Sequence, residues 1–99
     1  DSLEEVEAIV PLQPDWIAYE PPELIGSKEL SVSTAKPDVV AKAVEMAGNV
    51  KMLIGAGIKT AEDIRIGLRL GAVGFLIASS VVTAEDPEIK LRELIEGYE

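Results

Sequence analysis

The chain contains no cysteine and no histidine. The first absence removes disulfides, thiolate nucleophiles and cysteine metal sites. The second removes imidazole catalysis and histidine metal ligands. Cations are scarce, with 9 Lys+Arg against 18 Asp+Glu and a net charge of −9. A nucleic-acid binder needs a basic face to neutralise phosphates, so that class is not expected. No apolar run approaches the ~18–20 residues of a membrane span, and there is no basic–apolar–small leader pattern. The many carboxylates form no cluster with metal-ligand spacing, and no metal or cofactor is expected. The initiator Met is also missing and the opening Asp1-Ser2-Leu3-Glu4-Glu5-Val6-Glu7 has a mid-helix pattern, so a piece of something longer is expected. What remains is 99 residues, one domain at most, with a 47% hydrophobic fraction that can build a core. The expectation is an acidic, soluble, intracellular α/β piece.

Three apolar runs have strand character: Trp16-Ile17-Ala18-Tyr19, Val50-Lys51-Met52-Leu53-Ile54 and Val73-Gly74-Phe75-Leu76-Ile77-Ala78. Their weak alternation suits strands buried on both faces of a parallel sheet. Trp16 and Tyr19 read as packing residues rather than a stacking platform. A helix is expected from Pro37, which fits a first helical position, to Ala47, with Gly48-Asn49 as the stop and Val40, Ala43, Val44 and Ala47 as the apolar stripe. A second runs from Thr60, paired with Asp63 in a capping box, to Leu70, with Gly71 beyond it. Ile64 and Leu68 face inward there, and Arg65 and Arg69 face solvent. A third opens at Asp86-Pro87 and ends near Gly97, burying Leu91, Leu94 and Ile95. Residues 2–10 read as a helix ended by Pro11. The order is (α)-βα-βα-βα in a single unit, 1–99. One connection, Pro21 to Lys36, has no period of its own, and loops of that length act as lids or are disordered.

Parallel βα units bind ligands at the carboxyl ends of their strands. After the first strand comes Glu20-Pro21-Pro22-Glu23-Leu24-Ile25-Gly26. A carboxylate there is partly desolvated, as a general base requires; the same residues also suit a solvated Glu opening an ordinary loop. After the second strand, Gly55-Ala56-Gly57-Ile58 allows close backbone approach to an anion, or simply a tight βα turn. After the third, Ala78-Ser79-Ser80 leaves room for a phosphate, or uses its hydroxyls on local backbone groups. Two adjacent small-residue loops favour the phosphate reading. The acidic tail, interleaved with Lys90 and Arg92, reads as a solvated helix face.

Together, Ala18-Tyr19-Glu20-Pro21-Pro22-Glu23-Leu24-Ile25-Gly26, Gly55-Ala56-Gly57-Ile58 and Gly74-Phe75-Leu76-Ile77-Ala78-Ser79 resemble archaeal-type triosephosphate isomerase. The resemblance spans nearly the whole chain, and in that family it corresponds to the C-terminal part alone. It implies a partial (β/α)8 TIM barrel, strands six to eight with their helices. It further implies that Glu20 is the proton-abstracting base, that Pro21 to about Ser33 is a lid with Ile25 near the ligand, and that Gly57, Ala78 and Ser79 grip the phosphate. A phosphorylated triose is the implied substrate and a cytoplasmic homo-tetramer the implied assembly. The family also uses a Lys after strand one and a His after strand four.

Two departures are visible. The family lid continues Ile-Gly-Thr-Gly, whereas this chain has Ile25-Gly26-Ser27-Lys28, and a Lys at a left-handed position there would be strained. Ser80 stands where the family often has Gly. Two other readings compete. One is a different phosphate-binding barrel, of the kind used in tryptophan or histidine biosynthesis, which has no reason to carry Glu20 and its Pro-Pro lid. The other is a non-catalytic half-barrel that pairs through its open edges.

Overall fold

A computed structural model describes residues 2–99. Helix α1 (Leu3–Ile9) is capped by Ser2 and runs into a 3-10 turn, Val10–Leu12, that carries the chain past Pro11. Strand β1 (Trp16–Tyr19) follows, and a second 3-10 turn spans Pro22–Leu24. Then come α2 (Val32–Ala35), α3 (Pro37–Ala47), β2 (Lys51–Gly55), α4 (Ala61–Arg69) and β3 (Gly74–Leu76). The chain ends with α5 (Ser79–Val82), α6 (Pro87–Ile95) and a 3-10 turn, Glu96–Tyr98.

The local signals act as expected. Pro37 opens α3 and Gly48, at φ +61°, closes it. Thr60 and Asp63 form the reciprocal capping box of α4. The Asp86 side chain accepts from the Ile89 N–H, and Pro87 takes the first position of α6.

The three strands are parallel in the order β1-β2-β3, with Tyr19 opposite Ile54 and Ile54 opposite Phe75. Ile17, Tyr19, Met52, Ile54 and Phe75 therefore share one face, against which the helices pack. Val40, Ala43 and Ala47 of α3 and Ile64 of α4 are buried with them. Gly67 lets α4 approach closely, since a Cβ there would lie 2.5 Å from Phe75 Cε1.

The opposite face corrects the expectation of strands buried on both sides. Trp16 is 51% exposed and Leu76 37%, Ala18 is exposed, and Leu53 is half-buried. Each strand has one covered and one open face, so the short runs conceal an alternation set by the tertiary arrangement. Trp16 is accordingly not a core residue; Lys51 Nζ sits 4.9 Å above its ring centroid. Tyr19 does pack inward and is buried.

The last helix departs as well. Leu94 is buried, but Leu91 and Ile95 are exposed. The i, i+3, i+4 spacing marks a stripe, yet Leu94 is its one buried residue, and the 3-10 turn after α6 brings Gly97 close against Ile64 of α4. The 21–36 connection also has more regular structure than its sequence suggests. Its 3-10 turn buries Leu24, and α2 is capped by Ser31.

Candidate functional site

The sheet faces alternate along β1, so the residue that follows it projects onto the open face. That residue is Glu20. A Cβ on Gly55 would meet Glu20 Oε2 at 2.6 Å and Leu76 Cβ at 2.9 Å. The absent side chain at Gly55 is what lets the carboxylate lie across β2 toward β3. The sequence places Gly55 among glycines that admit a ligand, whereas the structure uses it to seat Glu20.

The turn after β2 is conformationally costly. Ala56 has φ +89° and Gly57 φ +73°, and a non-glycine in that region is strained by about 1–3 kcal/mol. The 21–36 connection holds this turn down. The Ala56 carbonyl accepts from Val32 N–H at 2.9 Å, and a Cβ on Gly57 would overlap the Leu30 carbonyl oxygen. Beyond β3, Ala78 (φ −136°, ψ −79°) turns the chain into the first turn of α5, where Ser79 and Ser80 begin the helix. The first N–H groups of a helix have no partner within it and face outward.

These segments enclose one cavity of about 120 Å³, lined by Glu20, Ile25, Gly57, Ala78 and Ser79 together with Ala56, Leu76 and Ser80. All five site residues singled out from the sequence therefore meet at one rim, the carboxyl ends of the strands. Ile25 is exposed at its edge. A larger cavity, about 700 Å³, lies at the amino ends of β1 and β2, with Asp15, Trp16 and Lys51 in its wall. In βα barrels that end of the strands serves stability rather than chemistry.

The 21–36 connection is tied down by hydrogen bonds. Gly26 takes the left-handed position at φ +76°, and Lys28 has no positive φ, so the missing second glycine leaves no strain there. Ser27 Oγ accepts from the Leu30 N–H at 3.0 Å. At the far hinge, buried Ser31 donates to Asp63 Oδ1 at 2.8 Å, while Asp63 Oδ2 accepts from the N–H groups of Lys59 and Thr60 at 3.0 and 3.1 Å. One carboxylate thus joins the end of the 21–36 connection, the Gly57 loop and the start of α4. Asp63 is legible in the sequence only as a cap. Its link to Ser31, 32 residues away, leaves no local signal. Replacing Asp63 by Ala leaves the Lys59 and Thr60 N–H groups without their acceptor and cuts the tie to Ser31, which keeps only its bonds to Thr34; it is expected to cost about 1–3 kcal/mol, read by chemical denaturation.

Glu23 and Lys36 clamp the two ends of the 21–36 connection with an ion pair. The hydrogen bond from Lys36 holds the Glu23 carboxyl below its ordinary 4.5, and the same bond raises Lys36 above 10.5. The Glu23 contribution is complete above its unfolded pKa and lost as pH falls through the lowered one. That of Lys36 is complete below its unfolded value and lost as pH rises through the raised one. The clamp is expected to stay closed from about pH 5 to 10. A titration of the Glu23 carboxyl by NMR checks this.

The fold and rim define an α/β protein with a cleft at the carboxyl ends of parallel strands, an acid at one side of it and small-residue loops at the other. The triosephosphate isomerase family model matches residues 2–97, and the chain belongs to that family. It is 44% identical, over 99 aligned residues, to the triosephosphate isomerase of Methanothermus fervidus, covering 96% of this chain and 44% of that one. To the enzyme of Methanocaldococcus jannaschii it is 46% identical over 93 residues, covering 90% and 42%. To that of Thermoplasma volcanium it is 49% identical over 76 residues, covering 75% and 35%. The chain thus spans between 35% and 44% of the length of these relatives. In fold it is similar to a chain of the Amycolatopsis orientalis BexX/CysO complex, with TM-score 0.71 and 20% identity over 98% of this chain and 37% of that one.

Among the described residues no group of His, Cys, Asp and Glu could hold a metal ion, and no helix is long and apolar enough to cross a membrane.

Proposed function

We propose that these residues are the C-terminal part of an eight-stranded barrel, strands six to eight with their helices. The complete cytoplasmic enzyme, a homo-tetramer by family resemblance, interconverts dihydroxyacetone phosphate and glyceraldehyde 3-phosphate. The observation that carries the reading is the Glu20 carboxylate, seated over Gly55 at one wall of the cavity that Ser79 closes on the other. The bare sheet face and the length of the relatives support a barrel completed by further strands.

In this reading Glu20 removes a proton from the carbon beside the carbonyl, leaving an enediolate, and returns it to the neighbouring carbon. Backbone N–H groups around Gly57 and at the start of α5 hold the phosphate, and their fixed dipoles outweigh the distant negative charge of the chain. The lid, pinned through Ser31 and Asp63, excludes water while the intermediate lasts. Triosephosphate isomerase is itself the standing example of a Glu base acting with a neutral His beneath a closing loop. The Lys and His that this chemistry uses come from the preceding strands of the barrel.

The 99 residues alone are therefore expected to show no measurable interconversion and the full-length protein to be active. NMR with either triose phosphate reads both, and turnover by the isolated chain contradicts the proposal. The bare face also favours a second arrangement, a half-barrel closed by a second copy, which sedimentation reveals as a compact dimer of the isolated chain.

A further inference from the structure

Beside the Glu20 cavity lies a second cleft, about 340 Å³, that shares Gly26, Gly57, Ile58, Ser79 and Ser80 with it. Its remaining wall is Ser27, Lys28, Lys59, Thr83 and Lys90. Three of the chain's 9 cations converge here, and no carboxylate lines the cleft, although the chain carries 18. The lysines come from three separate elements: the lid, the Gly57 loop and α6. Among the described residues Lys28 and Lys59 form no ion pair. Lys59 Nζ donates to the Gly57 carbonyl at 3.0 Å, and Lys90 Nζ lies 3.5 Å from the exposed Glu93.

We infer that this cleft is a second anion subsite, continuous with the phosphate grip, and that it takes the second charged group of a small diphosphorylated or polyphosphate ligand. This rests on the phosphate reading of the inner loops. A monophosphate fills the grip alone, while a ligand with two phosphates reaches from the N–H groups near Gly57 and Ser79 to Lys28 and Lys90. Such a ligand closes the mouth of the Glu20 cavity and competes with substrate.

Calorimetric titration of the full-length protein with inorganic phosphate and with inorganic pyrophosphate tests the inference. Pyrophosphate is expected to bind at least about tenfold more tightly than phosphate at low salt, a gap that narrows as salt screens the lysines. The double variant Lys28→Gln, Lys90→Gln is expected to shrink the gap below about threefold. Equal affinities in the parent, or a gap that survives the double variant, overturn the subsite. Loss of phosphate binding alone, with lysine-dependent pyrophosphate binding intact, sustains the subsite and counts instead against the grip.

Discussion

Glu20→Gln in the full-length enzyme is expected to lower kcat by about 10²–10⁴-fold with KM nearly unchanged. The amide has the same shape as the carboxylate, so it keeps the seat over Gly55 and against Leu76. Only the ability to take a proton is lost, and that loss falls on the transition state. Glu20→Asp keeps the basicity but draws the oxygens back by about one methylene, and a displacement near 1 Å costs on the order of 10²-fold. The two variants separate chemistry from position. Equal, small effects of both on kcat would mean that the carboxylate is only a rim residue.

The second large effect is expected at Gly57. Its φ of +73° already disfavours a side chain, and a Cβ would overlap the Leu30 carbonyl oxygen, so the lid cannot rest on the loop. Gly57→Ala is expected to cost about 1–3 kcal/mol of stability. It should also lower kcat/KM by about tenfold or more, because the lid and the phosphate loop shift together. Gly26 is the control: its φ is +76°, yet nothing lies within 4 Å of where its Cβ would be. Gly26→Ala is therefore strained but not blocked, and is expected to cost about 1 kcal/mol with far less effect on kcat/KM. Hydrogen exchange at Val32, whose N–H bonds to Ala56, distinguishes the two: fast in Gly57→Ala and protected in Gly26→Ala.

The features legible in the sequence are those whose physics is local. Pro37, the Thr60–Asp63 box and Asp86-Pro87 fix helix starts within a few residues, because capping depends only on neighbours in the chain. The strand-end segments were legible for a related reason, since chain order puts them on the same rim of any parallel βα sheet. Burial was less legible. Trp16, Leu91 and Ile95 are apolar at positions a core could use, yet which side of a strand or helix is covered depends on distant elements. The four residues of α2 are too few to show a period. Contacts across long separations, Ser31 to Asp63 and Glu20 over Gly55, had no signal at all, and they are what give the lid and the carboxylate their positions.

The central claim is one of proximity: the Glu20 carboxylate reaches the reacting carbon of a molecule held by its phosphate. A three-carbon phosphate bearing an epoxide in place of the carbonyl carbons tests it directly, since the epoxide is opened by a carboxylate anchored within reach. Mass spectrometry of the treated full-length enzyme is expected to find one ester, on Glu20, whose formation inorganic phosphate suppresses. An adduct on another carboxylate, or labelling of Glu20 that phosphate does not slow, would contradict the account.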